Sequence, residues 1–267
     1  MSFFSWLLRK NKRKIKVGLA LGSGGAKGFA HLGALRAFED NGIEIDLVAG
    51  TSIGSIIGAF YCDGYTSVDI LELLSRVDFS EIVNPVIVRM DTIGLFKVID
   101  REIGSLQIQE LKKPFRAVAT ERGSGNEKVF SSGSVASALC ASCCMPPFFR
   151  PVVIDGKRYV DGAYTNSIPA DVVRELGADY VIGIDLKTES RISALKKIIP
   201  TYKSSVKEPW KKGYDNSDIM LHPDLNGYTS LSFGSSRQIY DIGYHLAIEN
   251  IPKIKSDIDR LKKGKKL

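Results

Sequence analysis

Short apolar runs that stop at glycine alternate with longer stretches of helical spacing along this chain. Residues 16–21 are apolar after Lys16 and end at Gly22, the pattern of a buried strand. A glycine-rich turn occupies 22–28. Phe29, Leu32, Leu35, Ala37 and Phe38 then recur at helical spacing, and Gly42 closes a helix over 29–41. Residues 45–50 predict a second buried strand, 53–61 a second helix and 68–77 a third. The pattern weakens over 78–110, which reads as a lid or an insertion. Strands are expected at 115–120 and 128–131, and a small-residue helix at 135–144, before Pro146 and Pro147. Residues 151–160, with Asp155-Gly156 at their centre, read as a hairpin. A helix over 170–176, a buried strand over 180–185 and a polar, lysine-rich crossing over 190–216 follow. Residues 219–222 predict a last strand and 235–250 an amphipathic helix.

Strands alternating with helices imply an α/β fold, a three-layer α/β/α sandwich with a mostly parallel central sheet. The 267 residues suffice for one large domain, expected over 16–250, with a basic arm at 1–15 and a basic tail at 251–267.

Charge changes this picture only at the ends. The net charge is +7, yet residues 17–252 hold 24 basic and 28 acidic residues, so the body is slightly acidic. That excludes a nucleic-acid-binding body, which would carry its own basic face. Phe3, Phe4, Trp6, Leu7 and Leu8 precede Arg9, Lys10, Lys12, Arg13 and Lys14, the order of a membrane-surface arm and the reverse of a secretory signal. The expected setting is cytoplasmic, with peripheral contact to an anionic membrane at its inner face through the basic ends. Cys62, Cys140, Cys143 and Cys144 lack metal-site spacing and are expected as free thiols. Neither metal nor cofactor is expected.

Three elements carry candidate chemistry. Gly50-Thr51-Ser52-Ile53-Gly54 follows a predicted strand and opens a predicted helix, the setting of a nucleophile elbow. Its alternative is a tight turn with a capping serine. Gly22 to Gly28 offers several unblocked N–H groups at a helix start, able to hold a phosphate or an oxyanion. It fails the dinucleotide spacing, since Lys27 stands where the third glycine belongs, and it lacks the P-loop Gly-Lys-Ser/Thr. An oxyanion hole remains, with Gly24 and Gly25 as its suppliers. The third element, Asp161-Gly162-Ala163, follows a hairpin strand and places a carboxylate where it can take the Ser52 proton. A triad of Ser52, an aspartate and then His222 or His245 stays open on chain order, although neither histidine stands in a clear strand-end loop. His31 lies one helical turn beyond the glycine loop.

In this order the three elements resemble the patatin-like phospholipases of the single-domain bacterial type. The resemblance rests on Gly-Ser-Gly-Gly-Ala-Lys-Gly with Phe-Ala-His-Leu-Gly after it, Gly-Thr-Ser-Ile-Gly, and Asp-Gly-Ala with Tyr-Thr-Asn-Ser-Ile-Pro. The stretches 141–146 and 177–185 also match. The resemblance implies a serine acyl hydrolase of lipid esters, acting on phospholipids or lysophospholipids. It implies a Ser52–Asp161 dyad, an oxyanion hole of Gly24 and Gly25 with the Ala26 N–H nearby, and a loop-positioning role for Lys27. Gly22, Gly28, Gly50, Gly54, Gly162 and Ala163 complete the motifs. Ser23 departs from the family's glycine, and Pro147 stands where glycine is common, beside Phe148 and Phe149. A non-catalytic lipid-binding regulator on the same fold is the competing class.

Overall fold

The computed structural model describes residues 14–77, 92–146, 148–187 and 205–267. The arm up to residue 13, the stretch 78–91, Pro147 and the crossing over 188–204 lie outside the described residues.

Five strands form a parallel core. β1 (Val17–Leu21) pairs with β2 (Leu47–Thr51) on one side and β7 (Tyr180–Ile184) on the other. β3 (Phe115–Glu121) extends the sheet beyond β2, and β8 (Ile219–Leu221) beyond β7. Three antiparallel strands complete one end: β4 (Glu127–Phe130), β5 (Val152–Ile154) and β6 (Lys157–Asp161). The Asp155-Gly156 hairpin forms as its sequence predicts, both residues taking positive φ, 50° and 74°. The three-layer α/β arrangement expected from the alternation is present.

The alternating side chains of the strands feed two faces. Leu19, Leu21, Val48 and Ile182 face one core, packed under α1 (Phe29–Asp40), α2 (Ile53–Asp63), α3 (Ser67–Arg76) and α5 (Val135–Ser142). Ala20, Leu47, Ala49 and Val181 face the other, under α6 (Ala170–Glu175), with α7 (Lys211–Asn216) packed on α6. The chain adds strands leftward from β1 and later rightward from it, so the order reverses at the carboxyl ends of β1 and β7, where open α/β sheets bind ligands.

Three elements differ from the expectation, the first being α7, a helix inside the expected crossing over 190–216. Within the weakly patterned 78–110 stretch lies α4 (Ile93–Ile103), whose Leu95 and Ile99 are buried one turn apart. The last helix, α8 (Ser236–Lys262), runs past Asn250 and through Pro252, so residues 251–262 belong to the fold and are not a tail. An interior proline costs about 3 kcal/mol. Burial of Ile251 and Ile254 on either side offsets it, at roughly 1.5–3 kcal/mol for each side chain. Asp257, also buried, accepts the Tyr180 hydroxyl at 3.1 Å. α8 crosses α1 at very short range: a Cβ on Gly33 would lie 2.0 Å from the Tyr240 carbonyl oxygen, and one on Gly243 2.1 Å from that of Ala30.

Candidate active site

β3 brings two strand ends together. β2 pairs with its first half, as far as Thr51 opposite Val118, and β6 with its second half, where Asp161 lies opposite Ala119. β4 overlaps both stretches and so holds the other edge of β3. β2 and β6 therefore follow one another along a single edge, pointing at each other. Ser52 is the first residue past β2, and Asp161 is the last of β6.

Ser52 adopts φ 55° and ψ −128°, a strained conformation for a residue with a side chain. Neighbouring glycines make the turn possible. A Cβ on Gly50 would lie 2.3 Å from the Gly54 carbonyl oxygen, and one on Gly54 2.2 Å from that of Leu21. Three bonds hold the elbow. The Ser52 N–H donates to Ser142 Oγ at 2.9 Å, and the Ser142 hydroxyl donates to the Val118 carbonyl at 2.6 Å. Thr51 Oγ1 donates to the Asn166 carbonyl at 2.8 Å.

The Ser52 hydroxyl donates to Asp161 Oδ2 at 2.8 Å, while Asp161 Oδ1 accepts the Ala163 N–H at 2.9 Å. Asp161 is 1% exposed. Burial pushes its carboxyl up to about 7, against the two hydrogen bonds, which favour the ionised form. Gly162 lets the turn pass under β3, since a Cβ there would lie 2.2 Å from the Val118 carbonyl oxygen.

The glycine loop leaves β1 beside this pair. A Cβ on Gly28 would lie 2.4 Å from Ile53 Cγ1, so the loop and the elbow helix touch. The loop's N–H groups divide cleanly. Gly22 donates to Ile184, Ser23 to Ser167, Ala26 to Ser230 and Lys27 to Gly24, all to carbonyl oxygens. Among the described residues, the N–H groups of Gly24 and Gly25 have no protein acceptor. Ala26, expected to offer a third donor, is instead committed to Ser230 at 2.9 Å. Lys27 closes the turn through its backbone, at 3.3 Å from the Gly24 oxygen.

None of the three histidines bonds to the Ser52 hydroxyl. His222 Nδ1 stands 3.6 Å from Asp185 Oδ2, and its ring stacks on Tyr214. His245 Nδ1 bonds to the Asp241 carbonyl at 2.7 Å on its own helix. His31 is fully buried and donates from Nε2 to the Gly22 carbonyl at 2.8 Å. Desolvation pushes it down to about 4, so it braces the loop as a neutral ring.

Two neighbours escaped the sequence reading. Ser142 bears on the Ser52 backbone. The Cys143 thiol stands beside the Ser52 and Ser55 side chains, and burial, with Asp161 nearby, raises it well above the usual thiol range. Both lie in the 141–146 stretch, whose small residues signal close packing but no specific partner.

Comparisons with known proteins agree in kind. A family model described as patatin-like phospholipase matches residues 19–174. The neuropathy target esterase sws of Drosophila melanogaster is 28% identical, over 85% of this chain and 19% of its own length. The patatin-like phospholipase domain-containing protein 6 of Homo sapiens is 29% identical, over 85% of this chain and 20% of its own length. The lysophospholipase nte1 of Aspergillus fumigatus is 26% identical, over 90% and 18%. The chain thus spans about one fifth of the length of these relatives. Among solved structures, VipD from Legionella pneumophila superposes with a TM-score of 0.61 at 13% identity, over 90% of this chain and 67% of VipD. Human GIVD cytosolic phospholipase A2, in complex with methyl gamma-linolenyl fluorophosphonate, gives 0.54 at 11% identity, over 95% and 61%. At such identities the likeness is one of fold.

Proposed function

The chain belongs to the patatin-like phospholipase family, and from that premise we propose that it hydrolyses lipid carboxylic esters, with Ser52 as nucleophile and Asp161 as base. The observation that carries the reading is the 2.8 Å bond from Ser52 Oγ to Asp161 Oδ2. Asp161 Oδ2 takes the hydroxyl proton as Ser52 Oγ attacks the acyl carbonyl carbon. The carbonyl electrons move to oxygen, and the N–H groups of Gly24 and Gly25 receive that charge. As the carbonyl re-forms, the ester C–O bond breaks and Asp161 returns its proton to the departing alcohol. A water then attacks the acyl-serine and gives its proton to Asp161. The fatty acid leaves, and the proton passes back to Ser52.

Burial of Asp161 answers a difficulty of this chemistry. An ordinary aspartate is too acidic to be an effective base near neutrality. A carboxyl held at about 7 suits the task. Ser52 itself is only half-buried.

We assign phospholipids or lysophospholipids as the substrate class, by analogy with the named relatives. Peripheral contact with an anionic membrane through the basic ends belongs to the same proposal. Among the described residues, no helix is long and apolar enough to cross a membrane. A lipid panel assayed with wild type beside Ser52→Ala tests the reading, together with labelling by a fluorophosphonate. Release of fatty acid and labelling by wild type alone are expected. A folded wild type that neither hydrolyses nor labels would favour a lipid-binding regulator instead.

A further inference from the structure

The donors assigned to the oxyanion lie in a loop of glycines, and glycine peptides rotate readily. Something must fix their direction, since a donor that swings away stabilises nothing. β1 and α1 hold the two ends of the loop. Its middle is held from a distant part of the chain.

The Ala26 N–H donates to the Ser230 carbonyl at 2.9 Å. This bond pins the peptide plane between Gly25 and Ala26. The segment also lies directly on Gly25, where a Cβ would meet the Ser230 oxygen at 2.5 Å and Ser230 Cβ at 2.7 Å. Gly25 takes φ +58°, so it serves both the left-handed turn and the space that Ser230 fills.

The segment is itself a small locked turn. The Thr229 N–H donates to Ser232 Oγ at 2.9 Å, the Leu231 N–H to Thr229 Oγ1 at 3.2 Å, and the Ser232 N–H to the Thr229 carbonyl at 3.1 Å. These bonds hold the Ser230 carbonyl outward. The turn hangs between two fixed elements. Before it, β8 is paired to β7; after it, α8 is locked on α1 through Gly33 and Gly243. It lies well beyond residue 174, where the family match ends.

We propose that the turn over residues 229–232 is a clasp that orients the oxyanion donors, with Ser230 as a positioning residue acting through its main-chain carbonyl. The inference rests on the catalytic reading above. It divides the loop's labour: Ala26 is anchored so that Gly24 and Gly25 stay aimed.

The test is a double variant, Thr229→Val with Ser232→Ala, which removes both side-chain acceptors, the first exposed and the second half-buried. On a soluble ester its kcat falls by roughly tenfold or more, given the sensitivity of catalysis to small misplacements. KM stays within about twofold, because the donors act chiefly in the transition state. The midpoint of the pH profile, set by Asp161, does not move. Ser232 left intact with Thr229→Ser, which keeps the hydroxyl, retains wild-type kcat. An unchanged kcat in the double variant, or a rise in KM alone, overturns the proposal. Amide exchange of wild type supplies a second readout that needs no variant to fold. Protection at Ala26 is expected, and fast exchange there also overturns it. Ser52→Ala separates the two levels. If it hydrolyses like wild type, the catalytic reading fails, whatever Ala26 shows.

Discussion

Ser52 and Asp161 are 109 positions apart in sequence, yet Oγ donates to Oδ2 at 2.8 Å because β2 and β6 end face to face on one edge of β3. The pair thus depends on sheet register and not on loop chance. Ser52→Ala and Asp161→Asn are each expected to lower ester hydrolysis by at least about a thousandfold, as removal of a nucleophile or its base does elsewhere. His222→Ala and His245→Ala should stay within a few-fold of wild type, since neither ring meets Ser52. Initial rates on a short acyl ester decide this. An essential late histidine beside a dispensable Asp161 would sink the dyad.

The acid limb of the pH profile follows from burial. Asp161 acts only when ionised, and its carboxyl is held up near 7. Activity should therefore rise with pH through about 7 and be largely lost below 6. The same burial has a cost in stability. The unfolded chain ionises this residue near the ordinary value of 3.8, well below its folded value. Asp161 therefore stabilises the fold at low pH, and that contribution is lost as pH rises from about 4 to about 7. Asp161→Asn should be inactive yet more stable than wild type at pH 8, by on the order of a few kcal/mol. Denaturant unfolding of both proteins at pH 8 measures it.

Much of this arrangement was legible in the sequence, for specific reasons. Gly22 and Gly50 end apolar runs, so both loops and both strands could be drawn from pattern alone. The glycines of the elbow imply close backbone approach, and Gly54 packs against the Leu21 carbonyl. Ser142, Cys143 and Ser230 were not legible. Each acts across a separation that only the folded sheet closes, and a serine whose partner is a distant backbone atom leaves no periodic trace. Ala26 shows the same limit in reverse. The loop's sequence leaves its N–H available, whereas in the fold Ser230 accepts it. The helix is expected over 235–250 with a tail after it, whereas buried isoleucines on either side of Pro252 keep it intact to Lys262.

His31 should reveal itself through the sign of a slope. It is neutral in the fold, with its value pushed down to about 4 by burial, against an ordinary 6.5 when unfolded. Between those values the unfolded chain binds more protons, so the His31 contribution weakens stability as pH falls from about 6.5 to 4. Asp161 works in the opposite sense over much of that range. His31→Leu should remove the acid-side loss, leaving stability that falls as pH rises. It also leaves the buried Gly22 carbonyl without its donor, at about 1–3 kcal/mol. Unfolding curves at pH 5 and pH 7 for both proteins expose the change of slope; identical slopes would contradict it.

Gly54→Ala tests the packing of the elbow. The added Cβ would sit 2.2 Å from the Leu21 oxygen and 2.8 Å from that of Gly22, both backbone atoms. The end of β1 or the start of α2 must shift, at roughly 1–3 kcal/mol. Either shift disturbs the glycine loop and Ser52 together. A lower melting temperature and a kcat loss greater than the KM change are expected. A variant with wild-type stability and rates would show that the elbow adapts more freely than this contact implies.

The basic ends make the last prediction, and the structure sharpens where to cut. Lys14 pairs with Glu44 at 3.0 Å and Asp46 at 2.7 Å, so it belongs to the folded body. Part of the C-terminal charge is likewise spent within α8, where Lys253 pairs with Asp257 and Lys262 with Asp259. The four basic residues Arg9, Lys10, Lys12 and Arg13 lie beside an aromatic and leucine cluster. Basic residues near an anionic surface contribute about 1 kcal/mol each. Deleting residues 1–13 should therefore weaken binding to anionic vesicles by at least tenfold, less so at high salt. Hydrolysis of a soluble ester should be unchanged, since Ser52, Asp161 and the glycine loop lie in the retained body. Equal vesicle binding by the truncated protein would remove the arm from the membrane proposal.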